Sequence, residues 1–350
     1  MKSNCRKITQ ISILKIALLM AALLFSSTPS FALARGKQTQ TNKSVPASTN
    51  PAVIEISQAE TYAQVYAISD VHGMFDHLKT LLTSAGIVDQ NLNWSAGKSL
   101  LVVVGDSIDK GANSIEVVDL WIKLVPQAIA AGGLIIHTLG NHEAEFLANP
   151  NDDSKAAELT AELQAQNVSV ADFIDPTKPR GAFLKSEPVA AKIGKWLFSH
   201  AGDYPDMAWA DFKAQATSLL SIGSYGDPLF IGNDSILEAK GWWKKSADRA
   251  TYLQRLSANG MSGIVQGHQP SAYNIVNRIG AIEGGKMVRI DTGMAPEAGG
   301  TPGQMLLFPN PIQMDSDSVP HMIVISADGT RADLTPESFN PNKTVSSNQM

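Results

Sequence analysis

Five short, largely apolar runs in this 350-residue chain each lead into a side chain that can bind a metal ion. Val65–Ile68 runs on to Asp70, and Leu100–Val104 to Gly105-Asp106. Leu134–Leu139 leads to Gly140-Asn141, Trp196–Ser199 to His200, and Gly263–Gln266 to Gly267-His268. Runs of this length, separated by helical periodicity at 75–85, 113–131 and 206–220, read as strands of a sheet buried on both faces. In open α/β sheets the ligand crevice lies beyond the carboxyl ends of the strands. With His72 added, that crevice collects two carboxylates, three imidazoles and one amide oxygen. A nitrogen and oxygen set without sulfur suits Mn, Fe or Zn bound for chemistry rather than a structural thiolate zinc.

The last third of the chain has a different texture. Met287–Ile290, Gln304–Phe308 and His321–Ile325 read as strands, and Asp328-Gly329 turns the last of them into Thr330–Leu334 as a hairpin. An α/β fold of two packed mixed β-sheets flanked by helices accommodates both halves.

The ends of the chain are of another kind. Lys2, Arg6 and Lys7 precede an uncharged apolar run, Ile16–Phe25, and then the small-residue pattern Ala32-Leu33-Ala34. This predicts a signal peptide over 1–34, hence export to the periplasm or medium. The run is too short to span a bilayer, which needs about 20 residues, so no stable membrane insertion is expected after cleavage. Residues 35–58 and 336–350, rich in polar residues and proline, read as a flexible leader and a flexible tail around a domain at 59–335. Cys5, the one cysteine, would leave with the signal peptide, which excludes disulfides and a cysteine nucleophile. Four basic residues would leave with it, so 24 Lys and Arg would face 33 Asp and Glu, a net charge of −9. That balance argues against a nucleic-acid partner. A P-loop signature is also lacking.

The motifs themselves are Asp70-Val71-His72-Gly73, Gly105-Asp106-Ser107-Ile108-Asp109-Lys110-Gly111, Gly140-Asn141-His142-Glu143, His200-Ala201-Gly202 and Gly267-His268. In this order they resemble the calcineurin-like metallophosphoesterase superfamily, most of all its phosphoprotein phosphatase branch of bacterial, Shewanella-like type. Ile290-Asp291-Thr292-Gly293 is similar to bacterial members of that branch and to diadenosine tetraphosphate hydrolases. The resemblance covers about residues 62–310. It implies the four-layer αββα sandwich and two divalent metal ions. Asp70 and His72 would bind the first ion, Asp106 would bridge both, and Asn141, His200 and His268 would bind the second. His142 would be the general acid, oriented and held charged by Asp109.

Two departures concern the phosphate. The family's Asp-Arg-Gly is Asp109-Lys110-Gly111 here, and Trp242-Trp243-Lys244 stands where relatives carry an arginine after paired aromatics. Lysine offers a point charge in place of a planar fork. Lys110, Lys244 and Arg180 are therefore the candidate phosphate contacts. Glu143 divides evenly between structure and function. Asp291, His77, His137 and His321 read as structural, and the tryptophans as core or pocket wall. The resemblance implies a phosphorylated protein, peptide or small phosphoester as substrate. A nucleotide or dinucleoside polyphosphate is the alternative, and a noncatalytic phosphate-binding protein ranks below both.

Overall fold

The computed structural model describes residues 51–340; the expected signal peptide, most of the leader and the end of the tail lie outside them. Among the described residues, twelve strands form two six-stranded sheets. The first sheet has the order β12-β11-β10-β2-β3-β4, where β2 is Val65–Ile68, β3 Leu100–Val104, β4 Leu134–Thr138, β10 Gln304–Phe308, β11 Ile323–Ser326 and β12 Arg331–Asp333. Here β2, β3 and β4 are parallel, while β10, β11 and β12 run antiparallel to their neighbours. The second sheet has the order β1-β5-β6-β7-β9-β8, with β1 Val53–Ile56, β5 Ala190–Ile193, β6 Trp196–Ser199, β7 Gly263–Gln266, β8 Gly280–Ile282 and β9 Met287–Arg289. In it β6, β7 and β9 are parallel. All five strands read from apolar runs are present, and the Asp328-Gly329 turn closes the β11–β12 hairpin.

The sheets pack face to face. Trp196 and Phe198 of β6 lie 5.9 and 6.2 Å, ring to ring, from Phe308 of β10. Helices cover the outer faces. Helix α1 (Phe75–Ala85) buries Leu78, Leu81, Leu82 and Ala85 against the first sheet, one stripe at helical spacing. It stops at Gly86, whose φ of +78° a side chain would resist and whose N–H closes on Leu82 O. Helix α2 (Ser114–Ala130) lies against β4. Helices α3 (Asn141–Ala148), α4 (Ala157–Ala165), α5 (Val170–Phe173) and α6 (Pro179–Ser186) follow β4. Helices α7 (Trp209–Ser221) and α8 (Ser246–Ala258) contribute Phe212, Tyr252 and Leu256 to the apolar cluster that also holds Leu197, Ile264 and Met287 of the second sheet.

Two expectations about the ends are corrected. Val53–Ile56, placed in the flexible leader at 35–58, is strand β1, paired in parallel with β5. Its Val53, Ile54 and Ile56 are buried, an apolar run short enough to be masked by polar flanks. The tail at 336–350 also begins inside the domain. Glu337 N–H donates to Ala281 O at 2.8 Å, and Phe339 packs on Trp243 under the Arg249 guanidinium. Among the described residues no helix is long and apolar enough to cross a membrane.

Burying an aliphatic side chain contributes about 1.5–3 kcal/mol. A chain that begins at residue 58 should therefore unfold in urea with a stability lower by roughly 3–6 kcal/mol, allowing for partial burial when unfolded. An unchanged midpoint would contradict the role given to β1.

Candidate metal centre

The carboxyl ends of the parallel strands of both sheets meet. From the first sheet come Asp70 and His72 after β2, Asp106 after β3 and Asn141 after β4; from the second come His200 after β6 and His268 after β7. The strands must turn at once to aim these side chains at one point, and the backbone shows the cost. Asp70, His72, Asp106, Asp109, Lys110 and His268 all have φ between +47° and +69°. Each such residue costs on the order of 1–3 kcal/mol and persists only where its surroundings dictate it. The approach is close enough to require glycine at two positions. A Cβ on Gly140 would lie 2.0 Å from Asp106 Oδ1, and one on Gly105 would lie 2.6 Å from Gly140 Cα and 2.7 Å from His200 Nδ1.

The polar geometry has one centre, Oδ2 of Asp106. His200 Nε2 lies 3.1 Å from it and His72 Nε2 3.5 Å. Oδ1 of Asp106 accepts the His142 N–H at 3.1 Å. His72 Nε2 is 3.9 Å from Asp70 Oδ1, and His200 Nε2 is 3.1 Å from Asn141 Oδ1. Asp70 accepts the His268 N–H on both oxygens at 3.1 Å. The three imidazoles are oriented from behind. His72 Nδ1 is 3.2 Å from Ile108 O, His200 Nδ1 3.0 Å from Val104 O, and His268 Nε2 3.0 Å from Glu238 O. A ring nitrogen facing a carbonyl carries its proton there. The other nitrogen of His72 then faces the oxygens of Asp70 and Asp106, and that of His200 faces those of Asp106 and Asn141.

Nitrogens and oxygens held this close need a proton or a metal ion between them, and a buried set of imidazole, carboxylate and amide donors fits a metal ion. His72, Asp106 and His142 form one grouping of ligand-range atoms, and Asp106, His200 and His268 form another, with Asp106 common to both. Titration follows the same logic. Burial works against every charge here. Even so, Asp106 is held well below the usual carboxylate range by His200, His142 and His72, and His200 is pushed up to about 10 by Asp106 and Asp70. Burial takes His72 down to about 3 and, with Asp291 and Asp106 beside it, raises Asp70 well above its ordinary value.

His142 stands apart from the other imidazoles. Its Nδ1 is 3.0 Å from Asp109 Oδ2, and its ring meets that of His72 edge-on at 4.9 Å. Burial opposes its protonation, but Asp106 and Asp109 outweigh burial and raise its pKa. The other oxygen of Asp109 accepts the N–H groups of Glu158 and Leu159 at the start of α4, which locks the carboxylate in place.

Of the three candidate phosphate contacts, Lys110 is at the centre, its Nζ 3.4 Å from His72 Nε2. Arg180 is corrected. Its Nε and Nη2 form a two-pronged pair with Asp119, both at 2.7 Å, joining α6 to α2. Lys244 is corrected as well: it is exposed, lies over the Trp243 ring at 6.0 Å, and contacts none of the centre's side chains among the described residues. His268 is held well below its ordinary pKa by burial and the neighbouring His200 charge, with Lys240, from the same segment as Lys244, adding to them against the pull of Asp106. Trp243 is core, whereas Trp242 is half-buried with its indole N–H on Ala201 O at 3.0 Å, next to His200. Asp291 is buried after β9 and accepts the Gly293 N–H.

Glu143 resolves as structure serving function. It is fully buried. Oε2 accepts the N–H groups of Asp106 at 2.9 Å and Gly140 at 2.8 Å, and Oε1 accepts those of Ser107 at 2.8 Å and Ile108 at 3.1 Å. One carboxylate thus ties the loop after β3 to the start of α3. Glu143→Gln leaves one oxygen for four donors and turns an NH2 towards two of them. With each buried orphan costing about 1–3 kcal/mol, urea unfolding in chelator should show a loss of roughly 2–5 kcal/mol. A loss below about 0.5 kcal/mol, the scale of a surface change, would contradict the clamp.

Comparison with known proteins agrees with this geometry. Residues 63–287 match the calcineurin-like phosphoesterase family. An uncharacterized protein of Schizosaccharomyces pombe is 26% identical over 277 residues, 73% of this chain and 79% of that protein. Shewanella-like protein phosphatase 1 of Plasmodium berghei is 28% identical over 141 residues, 40% of this chain, and the match spans only 39% of its length. The cold-active protein-tyrosine phosphatase of a psychrophilic Shewanella species shares the fold, with a TM-score of 0.64 at 24% identity over 81% of this chain and 82% of that one. The chain belongs to the calcineurin-like phosphoesterase family and is a metal-dependent phosphoesterase.

Proposed function

We propose that the chain is an exported phosphatase with two divalent metal ions that hydrolyses phosphomonoesters on proteins or peptides. The observation that carries this reading is the single oxygen, Asp106 Oδ2, faced by imidazoles from both sheets with the His142–Asp109 pair beside it. Two ions, Mn, Fe or Zn, held by Asp70, His72 and Asp106 and by Asp106, Asn141, His200 and His268, would supply Lewis-acid polarisation of the phosphoryl group and an activated water. The remaining work falls to the chain. His142, protonated under the pull of Asp106 and Asp109, donates a proton from Nε2 to the departing oxygen. Asp109 keeps that ring oriented, itself anchored on the start of α4. The Lys110 ammonium, beside His72, pairs with a phosphoryl oxygen. The protein substrate is supported by the names of the Shewanella-like relative and the Shewanella fold neighbour. Export is supported by the charged, apolar and small-residue order of residues 1–34.

The test is phosphate release by residues 35–350 from p-nitrophenyl phosphate, phosphoserine and phosphotyrosine peptides and diadenosine tetraphosphate, with Mn, Zn or chelator. Metal-dependent release, with phosphopeptides preferred, is expected. A preference for the dinucleotide would transfer the site to the nucleotide reading, with Trp242 as the stacking surface. His142→Ala should lower kcat on phosphoserine peptide by about 10²–10⁴ and much less on p-nitrophenyl phosphate, whose leaving group needs little protonation.

The pH profile has a definite sign. Activity that needs protonated His142 falls as pH rises through its raised pKa. Asp109→Asn removes part of the pull that raises it, so the alkaline limb of kcat should move to lower pH. An unmoved limb would remove His142 from the acid role.

A further inference from the structure

A polar chain lies buried behind Asp106, outside the reaction described above. Trp121 Nε1 donates to Ser107 Oγ at 3.1 Å, Ser107 Oγ is 2.7 Å from His137 Nε2, and His137 Nδ1 is 3.1 Å from Glu187 Oε1. The four residues are between 0 and 5% exposed. They come from α2, the loop after β3, strand β4 and the segment before β5. The order of donors follows from chemistry. An indole N–H only donates, so Ser107 Oγ accepts it. That leaves the hydroxyl proton and a second lone pair of Oγ for His137 Nε2, which it meets at 2.7 Å. Glu187 Oε1 lies 3.1 Å from Nδ1 of that ring, a buried contact at ion-pair distance whose angle is not that of a hydrogen bond.

Serine, histidine and glutamate in a row are the parts of a nucleophilic triad. Here that use is blocked, because Ser107 is 1% exposed and its oxygen is engaged by both the indole and the imidazole. Apolar side chains would fill the same space, as Phe183 does beside the His137 ring at 5.2 Å, without the desolvation of four polar groups. What a polar chain adds is direction. Ser107 directly follows Asp106, whose φ of +52° needs support from its neighbours. Glu143 holds the Ser107 N–H on one side, and His137 with Trp121 holds its hydroxyl on the other.

We propose that Trp121, His137 and Glu187 are positioning residues for the phosphoesterase reaction: through Ser107 they fix the backbone at Asp106, so that Oδ2 stays between His72 and His200. The proposal rests on the two-metal reading of Asp106. Groups that orient a metal ligand from behind commonly change metal affinity or activity by about 10–100-fold when removed.

The experiment compares the wild-type protein with Ser107→Ala, His137→Leu, Glu187→Leu and Glu187→Gln. Calorimetric titration of Mn into metal-free protein, kcat and KM on p-nitrophenyl phosphate at saturating Mn, and the thermal midpoint are read for each. The first three should weaken Mn binding by about tenfold or more and lower kcat with KM within about twofold, and Glu187→Gln, which keeps the acceptor, should recover most of both. Should His137→Leu fail to fold, the smaller change Ser107→Ala decides. Variants that melt earlier but keep wild-type Mn affinity and kcat would overturn the proposal, as would a Glu187→Gln no better than Glu187→Leu. Should wild-type protein turn over no phosphoester, the functional reading fails, while the Mn affinities still decide the positioning chain.

Discussion

Asp106 Oδ2 is approached by His200 Nε2 from one sheet and by His72 Nε2 from the other, at 3.1 and 3.5 Å. Holding that oxygen in place requires the strands of both sheets to end at the same depth. It also requires their loops to turn without room for side chains at Gly105 and Gly140, and each imidazole to be gripped from behind by a backbone carbonyl. The sandwich is the frame that meets these conditions. Phe308 against Trp196 and Phe198 sets the sheets face to face, and the Val104 carbonyl that orients His200 belongs to the opposite sheet.

Strain in this arrangement is concentrated where the chemistry is. Six residues of the centre hold a backbone conformation that side chains resist, and the supports around them are correspondingly strong. Glu143 binds four N–H groups, and Asp109 binds both His142 and the start of α4. These carboxylates act as much on backbone as on chemistry. Glu143 therefore belongs to the site without facing it, and Asp109 belongs to both.

The centre was legible in the sequence because it is local: each ligand sits at the end of an apolar run, and a continuous run needs no long-range information to be read as a strand. Other features depend on partners far along the chain. Arg180 looked available for phosphate, yet Asp119, 61 residues earlier, takes both prongs of its guanidinium. Lys244 sits in the irregular stretch before α8, where no periodicity indicates which way a side chain points. Glu143 at a helix start satisfies the helix dipole in any case, so its three contacts to the distant loop after β3 leave no separate trace. Strand β1 was hidden because four residues flanked by polar sequence average out, and only pairing with β5 reveals it. His137, read as a structural residue in a strand, proved to be the middle of a chain assembled from four elements.

The account turns on Asp106 as the ligand common to two metal ions, and metal stoichiometry tests this directly. Mass-spectrometric metal analysis of Mn-loaded, desalted protein should give two ions per chain, and the folded Asp106→Asn variant should retain fewer than one. A wild-type stoichiometry of one, or an Asp106→Asn variant that still holds two, would contradict it.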